Sequence, residues 1–417
     1  MRCGAGRGKY RWAAVLAMAL AMALALAGPA SAQAPASADI KPADIKIGVL
    51  NDQSGFQSDL AGEGSVAAAR MAAEEFGNTV LGRKVVILGA DMQNKPDVAA
   101  SIARRWFDTE GVGVVADNQL SSAAFAVQEL AAARGKITIN VSSASTDLTG
   151  ARCSPTGFKW SYDTHSGATG TGRAVVDRGG KTWFFITADY TFGQTLQEQT
   201  AMIVERSGGK VLGSVKHPLG ASDFSSYILQ AISSGAQVVG LANGGTDTSN
   251  SIKQGHEFGL GTAGKAQFAG LAMFITDIHA LGLEAAQGLL LTNTFYWDRD
   301  ENSRAWSKRF FAQTGKMPTM VHAGVYSGVH HYLEAVKASG SVDGPTVAKA
   351  MRAMPVHDMT VQGATILPNG RVLQDLYLVR VKAPAESKAP WDYYEILATI
   401  PGKAAFQTEA ESGCKLR

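Results

Sequence analysis

The chain has 417 residues, 39 Lys and Arg against 36 Asp and Glu, and a formal net charge of +3. The first 32 residues hold four positive charges (Arg2, Arg7, Lys9 and Arg11) and no acid, so the other 385 carry a net charge of −1. A nearly neutral body offers no electrostatic footprint for nucleic acid, and its length exceeds what one hydrophobic core usually supports, which points to two domains.

The basic opening is followed by the apolar run AAVLAMALAMALALA and then by Gly28, Pro29 and Ala30-Ser31-Ala32. This order reads as a secretory signal peptide over residues 1–32 with an A-x-A cleavage site, and the run is short for a membrane span. The mature protein is expected to begin at Gln33 and to work in the periplasm; no cysteine follows the run to carry a lipid anchor. Of three cysteines, Cys3 leaves with the signal. Cys153 and Cys414 remain, and an even pair in an exported chain predicts a disulfide tying the C-terminal tail to a distant loop.

The mature chain alternates strand and helix. Ile47 to Gly77 reads as a buried strand, a polar loop and a helix whose start carries Gly62, Gly64 and Ser65. A helix start presents unpaired N–H groups, which suits an anion. Further strands are expected at 85–90, 113–116, 137–141, 183–187, 210–216, 238–242, 267–271 and 289–292. Amphipathic helices are expected at 99–109, 123–134, 195–207, 226–233, 248–258 and 321–338. This alternation implies parallel sheets covered by helices, which bind ligands in the loops at the carboxyl ends of their strands. Ser161 to Ala168 reads as a polar passage between two such units. From Ala364 the texture changes to alternating strands, with a hairpin turn signal at Asn369-Gly370.

Hydrolase, zinc-protease and redox motifs of the forms G-x-S-x-G, H-E-x-x-H and C-x-x-C do not occur. Gly259 to Lys265, GLGTAGK, matches seven positions of a P-loop, but Ala266 stands where a Ser or Thr would hold magnesium, and the segment precedes a strand. His330, His331 and Glu334 share a helical stretch at a spacing that arises readily by chance and better suits a surface patch than a metal site. No cofactor or metal is called for. Small neutral polar residues do accumulate at strand ends: Asn118 to Ser122 (NQLSS), Ser142 to Thr146 (SSAST) and Asn243 to Thr248 (NGGTDT). Capping alone would favour such residues there; three clusters at equivalent places favour a receptor for an anionic head group.

With IKIGVLNDQSG, SSASTDLTG, ITADYTFGQ, the segment from Val238 to Leu260 and YSGVHHYLEAV in this order, nearly the whole mature chain resembles a periplasmic solute-binding protein of the branched-chain amino-acid (Leu/Ile/Val-binding) type, the receptor subunit of an ABC importer. The resemblance implies an α/β, two-lobed type I fold: mostly parallel sheets flanked by helices, three interlobe crossings, and closure on a ligand like a Venus flytrap. Lobe 1 would take residues 44–160 and 292–364, lobe 2 residues 161–291 and 365–417. It implies no enzyme activity, ABC permease and ATPase subunits as partners, and a monomer.

For the ligand carboxylate the resemblance points to Ser121 or Ser122, Ala144 and Ser145, with Tyr190 lying on the ligand and Asp163 where a crossing meets the cleft. Phe56 and Met273, with Leu271 and Phe274, would form apolar walls, the stretch Phe56 to Leu60 would shape and line the pocket, and Asn243 and Asp247 belong to the third polar cluster. The acid that meets an amino-acid ammonium in this family, in a Gly-Pro-Glu-like turn, is replaced by Gly270-Leu271-Ala272, and the opening loop has no tyrosine near Asp59 and Leu60. A buried ammonium without a carboxylate is costly, so unless Asp247 or Asp163 substitutes, a small carboxylate lacking an amine, and an aromatic one, fits better. An amino-acid receptor of the same importer type, a sensory receptor and an exported hydrolase are the alternatives.

Overall fold

The computed structural model describes residues 43–261 and 265–416, so the expected signal peptide lies outside the described residues. The first sheet consists of β1 (Ile45–Asn51), β2 (Thr79–Val80), β3 (Arg83–Asp91), β4 (Val112–Ala116), β5 (Ile137–Asn140) and β6 (Gly157–Lys159), in the order β2-β3-β1-β4-β5-β6. From β3 to β6 all neighbours are parallel, and β2 adds an antiparallel edge. The strand IKIGVLN is buried along almost its whole length, as a strand covered by helices on both faces must be. Around this sheet lie α1 (Gly62–Glu74), α2 (Pro96–Arg105) and α3 (Ser121–Ala132). The helix expected at 99–109 is α2 followed by one wider turn over 106–110, which ends at Gly111 with φ 73°.

The chain then passes through α4 (Thr164–Gly167) and α5 (Arg173–Asp177) into a second sheet. Its strands are β7 (Thr182–Ala188), β8 (Lys210–His217), β9 (Val238–Ala242) and β10 (Gln267–Gly270), all parallel, in the order β10-β9-β7-β8. Connecting them are α6 (Thr191–Arg206), α7 (Ser225–Ser233) and α8 (Thr246–Glu257); α9 (Ile275–Leu281), α10 (Leu283–Ala286) and β11 (Leu290–Asn293) follow.

After α11 (Glu301–Thr314) the long helix α12 (Met320–Ser339) returns to the first sheet. It lies close because Gly324 and Gly328 have no side chain: a Cβ on either would stand 2.7 Å from Val141 and Ile139, respectively. That is the packing reason for the glycines in its AGVYSG run. Beyond α13 (Gly344–Ala353) and the short β12 (Val356–His357), β13 (Gln362–Ile366) and β14 (Val372–Leu373) form the hairpin that Asn369-Gly370 signals, with Ile366 opposite Val372. β15 (Leu376–Val381) pairs antiparallel with both β11 and β16 (Tyr394–Ile400).

The tail ends in a Cys153–Cys414 disulfide with Cα atoms 5.7 Å apart. On the way it buries Phe406 under the Arg371 guanidinium, 3.7 Å from the ring centre. Among the described residues no helix is long and apolar enough to cross a membrane.

Candidate functional site

In each sheet the strand order reverses once along the chain, between β1 and β4 in the first and between β7 and β9 in the second. Loops leaving such neighbours diverge and open a crevice at the strand ends. Loops from both sheets line one cavity. The first sheet supplies Gln57 and Leu60 after β1, Gln119 and Ser121 between β4 and α3, and Ser142 and Ala144 after β5. The second supplies Tyr190 and Phe192 after β7, Gly244 after β9, and Ala272 and Phe274 after β10. Tyr162, in the passage after β6, completes the wall.

The first-sheet wall is held by directed bonds. Gln119 Oε1 accepts from Asp52 N at 2.7 Å, and its Nε2 donates to Gln57 O at 3.1 Å. The Asp52 carboxylate in turn accepts from Gly55 N and Gln57 N. Ser142 donates from its hydroxyl and its backbone N–H to the buried Asp117, which also receives Asn51 Nδ2 at 3.0 Å; burial pushes the Asp117 carboxyl above the usual range against these donors. Ser121 Oγ accepts from Ser145 N at 3.3 Å, which leaves its own proton to donate. Ser121, Ser122 and Ala123 open α3, so their amides have no partner within the helix.

The facing wall is aromatic. Tyr162 meets Phe274 edge-on with ring centres 5.6 Å apart, and Tyr190 lies 5.7 Å from Phe192. Desolvation holds the hydroxyls of Tyr162 and Tyr190 above the usual phenol range, so both are neutral donors. Tyr162 donates to Ser142 O at 2.9 Å. Among the described residues the lining holds no Lys, Arg, His, Asp or Glu. An anionic group can therefore be met by neutral donors, a flat apolar body by ring faces, and an ammonium by no facing carboxylate.

Of the residues singled out from the sequence, the structure brings Ser121, Ala144 and Tyr190 together on this cavity, with Leu60 and Phe274. The others lie around it. Ser122 is half-buried one position further along α3, and Ser145 caps the turn at Thr146–Leu148 through Asp147 N. Phe56 is half-buried, and its backbone O accepts from Thr246 N at 3.4 Å. Asp163 caps α4 and stands 3.3 Å from Arg371 Nη1, a buried pair committed to each other. Asn243 ties His217, Thr248 and Ser251 together beneath the second sheet's loops. Asp247 accepts from Gly220 N at 3.1 Å, and burial pushes its carboxyl up to about 6. Met273 is buried against Gly270 in the core of the second sheet.

Sequence reasoning did not single out Gln57, Gln119, Tyr162, Phe192, Gly244 or Ala272 as individual residues. Gln57 and Gln119 sit in polar loops where an amide carries no distinguishing signal, and Phe192 sits at a helical spacing that reads as core. His331 bonds Met351 O at 2.9 Å, and among the described residues no group of His, Cys, Asp and Glu is placed to hold a metal ion. Residues 262–264 of the GLGTAGK segment lie outside the described residues; the segment leads into β10, a strand.

Comparison with known proteins places this geometry. A family model described as periplasmic binding protein matches residues 44–388. A periplasmic binding protein from Burkholderia mallei is 47% identical, with a TM-score of 0.87 over 89% of this chain and 99% of that one. A branched-chain amino acid ABC transporter periplasmic ligand-binding protein from Burkholderia xenovorans is 38% identical, with a TM-score of 0.79 over the same shares. A Leu/Ile/Val-binding protein homolog 6 from Brucella abortus is 27% identical over 349 residues, 81% of this chain and 87% of its own length. The chain belongs to the periplasmic binding protein family, with the α/β fold of parallel sheets flanked by helices that its motifs imply.

Proposed function

We propose that this protein is an exported receptor that captures a small carboxylate, with an aromatic body, in the cavity between its two sheets and hands it to an ABC importer. The observation that carries the reading is the composition of the cavity wall: neutral donors on one side, aromatic faces on the other and, among the described residues, no charged side chain. Ser121 and the first-turn amides of α3 would receive the carboxylate, a role that helix N-termini fill without a buried cation. Tyr162, Tyr190, Phe192 and Phe274 would cover the ring.

In this reading residues 44–160 with 292–364 and residues 161–291 with 365–417 are lobes that close on the ligand. Closure is favoured only by contacts made to both, and the cavity draws its lining from both sheets. No chemistry on the ligand is required. The signal over residues 1–32 would deliver the protein to the periplasm, and similarity to an ABC transporter ligand-binding protein supports the importer as its destination.

Titration calorimetry against benzoate, other aromatic carboxylates and the branched-chain amino acids tests the proposal. Aromatic carboxylates are expected to bind. Tight binding of leucine with no response to any aromatic carboxylate would overturn it. The amino-acid reading draws on one observation, Asp247 Oδ1, buried without a partner in the first turn of α8, three positions beyond the cavity-lining Gly244. Loss of leucine binding in Asp247→Asn would favour it. Mass spectrometry of whatever co-purifies with the protein discriminates the same two readings.

A further inference from the structure

Gln57 lines the cavity, is 7% exposed, and its Oε1 is buried with no hydrogen-bond partner. An amide acceptor left open in a desolvated place is costly, and native structures leave few of them. The loop that carries the side chain has little freedom to relieve this. Its backbone is pinned on both sides, because Gln57 N donates to Asp52 at 3.0 Å and Gln57 O accepts from Gln119 Nε2 at 3.1 Å and from Leu60 N at 3.3 Å. Gln119, the other amide side chain among the described residues of the wall, is engaged at both ends: its Oε1 takes Asp52 N and its Nε2 serves Gln57 O. One acceptor on a cavity-lining side chain is therefore left unmatched, beside a wall otherwise able to donate.

We infer that the occupant carries a hydrogen-bond donor of its own for Gln57 Oε1, so that the ligand class is a hydroxylated aromatic carboxylate. This rests on the carboxylate reading and narrows it. A ligand without such a group would displace any water at Oε1 and leave the acceptor bare, whereas a hydroxyl replaces that water's bond. Sites built to pair a ligand hydroxyl reject analogues lacking it far more strongly than apolar pockets reject a missing methylene.

The test is calorimetry with benzoate, the three monohydroxybenzoates and their methyl ethers, on wild-type protein and on Gln57→Leu. At least one hydroxybenzoate is expected to bind about ten-fold or more tightly than both benzoate and its own ether. In Gln57→Leu, checked for a native melting transition, that ratio is expected to fall to about 1. Hydroxybenzoates no tighter than benzoate would overturn the inference while leaving the carboxylate reading standing. A methyl ether as tight as its phenol would overturn it too, because the amide would then be presenting its N–H. A ratio unchanged in Gln57→Leu would move the preference to another residue. If no aromatic carboxylate binds at all, both the reading and the inference fall.

Discussion

The two walls of the cavity are built on different principles. On the first-sheet side nearly every polar side chain is fixed by bonds to backbone or buried carboxylate: Gln119 to Asp52 N and Gln57 O, Ser142 to Asp117, Ser121 to Ser145 N. On the second-sheet side Phe192, Ala272 and Phe274 are held by packing. Directed donors that are already oriented lose little entropy when a ligand arrives, and they discriminate by geometry. Packed rings contribute area and tolerate variation. One wall reads the ligand's polar groups and the other its shape.

The largest effect should come from the joint behind both walls. Arg371 donates to Ser161 O in the passage between the sheets and pairs with the buried Asp163. Arg371→Ala leaves that carboxylate without its cation and is expected to cost about 3–5 kcal/mol of stability. Urea unfolding measures it, and a loss under 1 kcal/mol would mean that the joint is not what sets the walls.

Next is the disulfide, which pins the loop continuing from Ser142 and Ala144 to the tail. Replacing Cys153 and Cys414 together by Ser is expected to cost roughly 2–5 kcal/mol. If the polar wall depends on that pin, affinity for an aromatic carboxylate falls as well; unchanged affinity would show that the wall is held by its own hydrogen bonds.

The aromatic wall is expected to respond to pH through Asp277. This carboxyl is 7% exposed, accepts from Phe274 N at 2.8 Å, and is pushed up to about 7, chiefly by burial. A carboxyl raised in the folded state contributes stability that is fully present below its unfolded value near 4 and is lost as pH rises through 7. Asp277→Asn removes this loss, so its stability relative to wild type should grow by roughly 2–4 kcal/mol between pH 4 and 8. Parallel melting-temperature profiles for the two proteins would refute it.

Smallest is the single donor. Ser121→Ala should weaken aromatic carboxylate binding by about 1–1.5 kcal/mol, close to ten-fold, with little change in melting temperature. Phe192→Leu, which keeps most of the apolar area, should weaken it less. The reverse order would invert the comparison between the walls.

Much of the fold was legible because the signals are local. Strand runs such as IKIGVLN and VVGLA are apolar throughout, the helices carry a 3.6-residue period, and Asn369-Gly370 marks its own hairpin. α11 escaped notice because only Trp306 and Phe310 are its large buried apolar residues, too sparse a stripe to stand out. At the site the sequence led to the right loops but not always to the right side chains. The stretch Phe56 to Leu60 reads as lining the pocket with Phe56 as its apolar wall; with the Asp52 carboxylate taking Gly55 N and Gln57 N, the side chains of that stretch that line the cavity are Gln57 and Leu60.

By itself the sequence determined two parallel α/β units, polar loops at the carboxyl ends of their strands and a pair of cysteines left to join, because apolar runs, helical period and turn residues act over a few neighbours at a time. Only the tertiary structure decided which groups remain open to a ligand. Asp163 lies in a loop that suits a binding role, yet Arg371, brought in from the far end of the chain, takes it up, while Gln57 is left with an acceptor that nothing in the described chain meets. Whether a polar group is satisfied depends on partners distant in sequence, and such partners meet only once the chain has folded.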